Sequence, residues 1–273
     1  MNRISSRLAH QLRLVQPDGR LRTHRPALVA VAHGSRDPRA LETVRALLDR
    51  VRELRPGLPV SLGHIELNAP LLPDTLAELD ARGTGSAVLV PLLLSRGYHV
   101  KRDIPEMAAT ARVRTRVAAP LGPHPLLVDT LYERLVEAGW DPHATAAERR
   151  ASAVVLAAAG SRDPESRLDT GRTAALLAHR LGVPVLPAYA SSATPTVPEA
   201  IRTLTSRGRT RVALASCFTA PGRFATECAA AAPWIAASPL GAHDKMAHLL
   251  LHRYDEALTA VPKPAASRKL TPA

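Results

Sequence analysis

The sequence predicts an α/β fold that contains two copies of one unit, each a parallel sheet flanked by helices. Short, almost wholly apolar segments alternate with segments whose apolar residues recur every three or four positions, the pattern of buried strands between amphipathic helices. The order of these segments then returns after about 125 residues. One motif also recurs, since Gly-Ser-Arg-Asp-Pro stands at residues 34–38 and at residues 160–164.

In the first unit, each predicted strand is a short apolar run and each predicted helix begins at or near a proline. The first helix, which follows Pro38, has apolar residues from Leu41 to Leu54 on one face, and Pro56-Gly57 ends it. The other predicted helices span 73–82, begin at 103–105 and span 125–139. The predicted strands are 28–32, 60–67, 86–94 and 114–118.

The second unit repeats this order with predicted strands at 153–158, 183–189 and 211–218 and helices at 167–181 and 195–207. We place the boundary in a polar linker, residues 141–150. The predicted units are therefore residues 26–140, which hold the candidate active site, and residues 151–261, a degenerate copy. The ends of the chain, residues 1–25 and 262–273, are predicted to be disordered tails, the first of them basic.

Composition restricts the class of protein. Lysine and arginine outnumber aspartate and glutamate by 36 to 24, so the chain attracts acidic partners. Aromatic residues are only 3% of the chain and no nucleic-acid-binding motif is present, so we expect no nucleic acid partner. The two cysteines, Cys217 and Cys228, are too few for a disulfide framework. With no apolar run long enough for a signal or a membrane span, we predict a cytoplasmic protein that does not bind membranes.

Two histidines are the strongest functional candidates. His33 and His99 each follow a buried strand, and ligands of open α/β sheets bind beyond the carboxyl ends of the strands. The second unit has Ala159 and Phe224 at the equivalent positions. A histidine that only hydrogen-bonds a neighbouring loop is the alternative for either residue alone, but the loss of both from the degenerate copy favours a shared function.

Two imidazoles that converge on one cleft are typical ligands for a divalent ion of the iron, cobalt, nickel or zinc type. Two ligands leave coordination positions for water, a carboxylate or a substrate, as a catalytic or delivery site requires. Glu66 is the best-placed carboxylate, although a surface glutamate paired with an arginine is an equal interpretation of its position.

Several polar residues follow the same strand ends. Ser35, Arg36 and Arg96 are candidates for binding an acidic ligand, because guanidinium groups bind carboxylates in a two-pronged geometry. Lys101 and Arg102 are better interpreted as a solvated rim. Asp37 and Asp103 precede helices, where a carboxylate caps free backbone N–H groups, so we expect structural roles for them. A serine-nucleophile interpretation of Ser35 lacks the Gly-x-Ser-x-Gly elbow.

These residues belong to longer motifs. They are Val31-Ala32-His33-Gly34-Ser35-Arg36, His64-Ile65-Glu66-Leu67, and Val90 to Val100 followed by Asp103-Ile104-Pro105. Together they resemble the sirohydrochlorin chelatases of the CbiX and SirB type. The resemblance is close from Leu28 to about Gly139 and holds in outline for the second unit.

The resemblance implies a class II chelatase fold, with a cleft between two similar halves. It implies an ATP-independent lyase that inserts Fe²⁺ or Co²⁺ into sirohydrochlorin, in sirohaem or cobalamin biosynthesis, with no organic cofactor. The family's metal-binding histidines correspond here to His33 and His99, and Glu66 matches a glutamate often found in the middle strand. The carboxylate-rich tetrapyrrole would account for the basic charge.

Two other functions stay open on the sequence alone. A carrier that holds metal or tetrapyrrole without turnover would use the same histidines, and a hydrolase would depend on Ser35. Because two fused halves can complete a cleft within one subunit, both a monomer and a homodimer agree with the sequence.

Overall fold

A computed structural model describes residues 25–260 of the chain, which form two parallel sheets covered by helices. The predicted α/β architecture of two parallel-sheet units is therefore confirmed. The predicted tails, residues 1–25 and 262–273, lie outside the described residues apart from Arg25. Among residues 25–260, no helix is both long enough and apolar enough to cross a membrane.

The first sheet has four strands in the order β2-β1-β3-β4, all of them parallel. Its strands are β1 (Ala27–Ala32), β2 (Val60–His64), β3 (Ser86–Pro91) and β4 (Arg114–Val117). The helices of this unit are α1 (Pro38–Leu54), α2 (Leu72–Ala81), α3 (Ile104–Ala109) and α4 (Pro125–Glu137). The central strand β1 is wholly buried, as its continuous apolar sequence predicts.

The second sheet has three parallel strands in the order β6-β5-β7. Its strands are β5 (Ser152–Ala158), β6 (Val185–Tyr189) and β7 (Arg211–Cys217). The helices are α5 (Ala146–Ala151), α6 (Pro164–Leu181), α7 (Val197–Ser206), α8 (Arg223–Ala230) and α9 (Asp244–Thr259). A single parallel bridge between Leu214 and Ala236 stands where the first unit has β4.

Several predicted boundaries were wrong. The strands predicted over 60–67 and 86–94 end early, at His64 and Pro91, because the apolar residues that follow belong to the loops at the strand ends. Helices α5, α8 and α9 were not predicted. Short α5 occupies the expected linker, where Thr145 and Glu148 form a reciprocal capping box.

The two units share a core. One apolar cluster includes Leu28 and Ala30 from β1 together with Val154 and Leu156 from β5. The last helix of each unit packs on the other unit: α4 contacts α6 and β7, whereas α9 contacts α1, α4 and β3. The described parts of the two units therefore pack around common apolar contacts, and the predicted boundary between residues 26–140 and 151–261 stays a prediction.

A bidentate ion pair also joins the units far along the helices. The Arg55 guanidinium after α1 donates to both carboxylate oxygens of Asp255 in α9, at 2.6 and 2.8 Å. These hydrogen bonds and the guanidinium charge hold the pKa of Asp255 below its usual range.

Candidate functional site

His33 lies directly after β1, and the glycine that follows it allows a close approach of two loops. Gly34 has φ 104°, in the region that favours glycine, and a Cβ at this position would lie 2.0 Å from the carbonyl oxygen of Glu66. The Glu66 N–H in turn donates to the His33 carbonyl at 3.0 Å. The loop after β1 therefore packs on the loop after β2.

The Glu66 side chain is presented by a constrained turn. Leu67 has φ 66°, which is unusual for a residue with a branched side chain, and the Asn68 N–H donates to the Glu66 carbonyl at 2.8 Å. The Asn68 side chain accepts from the Ser35 N–H at 2.6 Å and so joins the two loops again. Glu66 Oε1 is 3.6 Å from His33 Nε2.

His99 opens a π-helical turn, His99–Asp103, that continues into α3. Its ring lies edge-on to the His33 ring, with the ring centroids 4.8 Å apart and the planes at 88°. Because a coordinating nitrogen lies about 2 Å from its metal, rings this close can share one ion. The structure therefore brings His33, Glu66 and His99 together.

Asp103 has a different role from the one that the sequence predicted. It does not cap α3 with its side chain, so that prediction was wrong. Its Oδ2 lies 2.5 Å from His99 Nδ1, one helical turn away. An Nδ1–H that donates to a carboxylate leaves Nε2 as the free, basic nitrogen, which is the usual arrangement around a metal-binding histidine. Asp37, by contrast, caps α1 as predicted, accepting from the Arg39 N–H.

His64 was not among the site residues predicted from the sequence. It ends β2, is almost fully buried and lines the cavity described below. Its Nδ1 lies 3.1 Å from the Pro70 carbonyl, which can only accept, so Nε2 carries the lone pair. Burial lowers the pKa of this imidazole and keeps the ring neutral. Its position two residues before Glu66 was the available signal.

The three predicted ligand-binding residues are in different environments. Ser35 closes the loop, because its Oγ accepts from the Asp37 N–H at 3.1 Å. Arg36 is exposed and lines the cavity. Arg96 is instead bound by two acidic residues of the second unit, Asp169 and Glu165. A substrate carboxylate would have to displace these ion pairs to reach Arg96.

A cavity of about 1340 Å³ lies at this end of the sheets. The first unit contributes the loops after β1 and β2 and the start of α1, and the second unit contributes Ala159 and residues 218–227. His33 and Glu66 line it, whereas none of its described lining residues comes from the segment 94–101. Arg223 stands at the cavity with a side chain that is 75% exposed and stacks on the Phe224 ring.

The described side chains around His33 and His99 do not form a complete set of metal ligands. Among residues 25–260, no group of three or more His, Cys, Asp or Glu side chains is arranged to hold a metal ion. The His33 and His99 side chains are 42% and 36% exposed. Two adjacent imidazoles beside a large cavity suit an ion that is bound and then passed on.

The second unit lacks all four polar side chains of the site, which are those of His33, Glu66, His99 and Asp103. Ala159 stands where the first unit has His33, Ser191 replaces Glu66, Phe224 replaces His99 and Cys228 replaces Asp103. Burial raises the pKa of the Cys228 thiol, so it is no substitute for a carboxylate. Two of these four differences, Ala159 and Phe224, were predicted from the sequence.

Comparisons with known proteins agree with the duplication. The family model described as CbiX matches twice, over residues 27–138 and 153–257. A protein of Priestia megaterium named sirohydrochlorin ferrochelatase is 27% identical over 251 residues, 86% of this chain and 91% of that protein. One of Methanococcoides burtonii named sirohydrochlorin cobaltochelatase is 28% identical over 123 residues, 40% of this chain and 94% of that protein.

A solved structure shares the fold across both units. The structure of SirB from Bacillus subtilis with Fe³⁺ aligns with a TM-score of 0.69 over 86% of this chain and 96% of that chain, at 24% identity. The two family matches together cover well over half of the residues. The chain belongs to the CbiX family.

Proposed function

We propose that this protein is a sirohydrochlorin chelatase, a lyase that inserts Fe²⁺ or Co²⁺ into sirohydrochlorin without ATP or an organic cofactor. The observation that carries the proposal is the edge-on contact of His99 with His33, which lines a large cavity together with Glu66. The chain's family and the names of its relatives in Priestia megaterium and Methanococcoides burtonii support the substrate.

In the proposed reaction the macrocycle loses two pyrrole N–H protons and gains one divalent ion, so the charge balances. His33 and His99 hold the incoming ion through neutral ring nitrogens, and Asp103 keeps the His99 proton on Nδ1 so that Nε2 faces the metal. The Glu66 carboxylate, which is 54% exposed and next to His33, accepts one of the two protons as the ion passes to the pyrrole nitrogens, and an imidazole that the ion has left accepts the other.

The cavity is proposed to hold the tetrapyrrole. Its volume of about 1340 Å³ exceeds the about 300–1,000 Å³ of ordinary small-molecule sites, as a large macrocycle requires. Arg36 from the first unit and Arg223 from the second stand at it and are exposed, so both can bind substrate carboxylates. Ser35 contributes through the loop that presents His33.

An anaerobic absorbance assay tests the proposal. Sirohydrochlorin is mixed with Co²⁺ or Fe²⁺ at a large excess over protein, and the spectral change of metal insertion is followed. We expect many turnovers per protein chain. A change that stops at one equivalent would identify a carrier of metal or tetrapyrrole. Loss of activity in Ser35→Ala, with no effect of chelators, would support a hydrolase instead.

Relatives with both names, ferrochelatase and cobaltochelatase, leave the metal open, and both ions accept imidazole. The assay is therefore run with each ion separately, and the ratio of the two kcat/KM values decides between them. The cytoplasmic location, the absence of nucleic acid and membrane partners, and the choice between monomer and homodimer stay predictions.

A further inference from the structure

The segment that carries His99 is bound to the second unit by a buried carboxylate. Asp169 in α6 is 1% exposed and accepts three hydrogen bonds from one residue, Arg96. The Arg96 backbone N–H and Nε both donate to Oδ2 at 2.9 Å, and Nη2 donates to Oδ1 at 2.6 Å. The contact therefore holds the backbone of Arg96 as well as its side chain, three residues before His99.

Further contacts flank this one on both sides. The hydroxyl oxygens of Ser95 and Ser166 are 2.8 Å apart, and Arg96 Nη1 donates to Glu165 at 3.0 Å. Lys101, two residues after His99, pairs with Asp163 at 2.8 Å and also with Glu165. Residues at the start of α6 therefore form hydrogen bonds and ion pairs with the chain on both sides of His99.

Burying an ionised carboxylate raises the free energy of the folded protein unless a positive charge pairs with it. Asp169 therefore depends on Arg96, and Asp169 in turn fixes the position of Arg96. Burial opposes the ionisation of Asp169, but the hydrogen bonds and charge of Arg96 outweigh it, and the pKa of Asp169 is lowered. The equivalent of Asp169 in α1 is Thr43, and the equivalent of Arg96 in the second unit is Pro221. The equivalent contact between the units thus lacks this ion pair, so the repeated fold does not depend on the pair of Asp169 with Arg96.

We infer that Asp169, through Arg96, positions His99 for metal transfer, so that the second unit, which has lost the ligands, still sets the geometry of the first. The inference rests on the proposed function. It assigns Arg96 to the support of His99 rather than to substrate carboxylates, in agreement with a cavity whose described lining residues do not include Arg96.

The decisive variants are Asp169→Asn and Arg96→Lys. Asparagine keeps the shape of Asp169 but loses its charge, and lysine keeps the charge of Arg96 but loses the two-pronged donor geometry. The matched control is Asp255→Asn, which weakens a second bidentate ion pair between the units, Arg55 with Asp255. The melting temperature, the Kd for Co²⁺ and steady-state insertion kinetics are measured for the full chain in each case.

We expect both decisive variants to lower kcat by about tenfold or more, because small displacements of a reacting group cost up to about 10²-fold. The Kd for Co²⁺ should rise, while KM for sirohydrochlorin stays within about twofold because the cavity walls are intact. Asp255→Asn should lower the melting temperature and leave kcat, KM and the Kd for Co²⁺ unchanged.

Three results would overturn the inference. The first is a higher KM with unchanged kcat in Arg96→Lys, since this would make Arg96 a substrate-binding residue. The second is a Co²⁺ affinity and a kcat in Asp169→Asn equal to those of the wild-type protein. The third is an equal loss of kcat in Asp255→Asn, which would indicate general destabilisation. If the wild-type protein shows no turnover, the proposed function fails, and the Co²⁺ titration alone still tests the positioning of His99.

Discussion

The two units share backbone geometry but not chemistry. Gly34 and Gly160 both have positive φ, and a Cβ at either would clash with a carbonyl of the next loop, at 2.0 Å from Glu66 and 1.8 Å from Ser191. The turn after each second strand also repeats, with φ 66° at Leu67 and 57° at Ser192. The strand-end loops therefore belong to the fold, and the proposed function depends on the side chains that the first unit adds to them.

The same asymmetry divides the surfaces where the units meet. On one side, α6 of the second unit binds the segment around His99 through Asp169 and its neighbours. On the other side, the equivalent segment, residues 218–227, and the start of α1 line an open cavity. The two equivalent surfaces between the units therefore differ. One is closed by ion pairs between α6 and the segment around His99, and the other forms the cavity.

The most severe test of this comparison removes the ligands. His33→Ala and His99→Ala should each abolish metal insertion and Co²⁺ binding, a loss beyond the about 10–100-fold that changes around a ligand cause. Phe224 stands in the second unit where the first unit has His99. Phe224→Ala should leave Co²⁺ affinity unchanged, because a phenyl ring cannot bind the metal. Titration with Co²⁺, with circular dichroism as the control for folding, measures both. Tight Co²⁺ binding by either histidine variant would contradict the site.

A subtler change removes the support of His99 within its own turn. Asp103→Asn should lower Co²⁺ affinity and kcat by about 10–100-fold, since the carboxylate sets the tautomer and orientation of the ring. Cys228→Ser, at the equivalent position of the second unit, is the matched control and should leave both quantities unchanged. Equal effects of the two substitutions on Co²⁺ affinity would contradict the assigned role.

The glycines separate the shared framework from the chemistry. Gly34→Ala and Gly160→Ala should both destabilise the protein, by about 1–3 kcal/mol from the backbone conformation alone, with the clash in addition. Only Gly34→Ala should also weaken Co²⁺ binding, because it displaces the loop between His33 and Glu66. Gly85→Ala, where a Cβ meets open space, is the control. Urea denaturation measures the stabilities, and a neutral Gly160→Ala would contradict the shared geometry.

Acid should produce the smallest change. The lowered pKa of Asp169 means that its pair with Arg96 stabilises the folded state fully above the unfolded pKa, about 3.9, and that this contribution is lost as pH falls through the folded value. The difference in urea midpoint between the wild-type protein and Asp169→Asn should therefore shrink between pH 7 and pH 3. Asp255→Asn should behave alike. A difference in urea midpoint that stays constant with pH would show that the charge of Asp169 does not stabilise the folded protein.

Local sequence patterns predicted much of the first unit because they report local physics. The periodicity of Leu41 to Leu54 predicted α1, and the wholly apolar run before His33 predicted a buried parallel strand. The short helices α5 and α8 were missed because neither has the long apolar periodicity that identifies a helix from sequence. Glu66 was placed near a strand end, and it lies in the turn two residues beyond it.

The sequence by itself determined the duplication, the strand order along the chain and the presence of two histidines at equivalent strand ends, because these depend on residues close together in the chain. Tertiary structure decided the rest. Asp103 pairs with His99, four residues earlier, within the π-helical turn that follows β3 instead of capping α3. Arg96 binds Asp169, 73 residues away, and does not line the cavity. Contacts at such separations arise from how the two units pack, and no local pattern of polar and apolar residues encodes that packing.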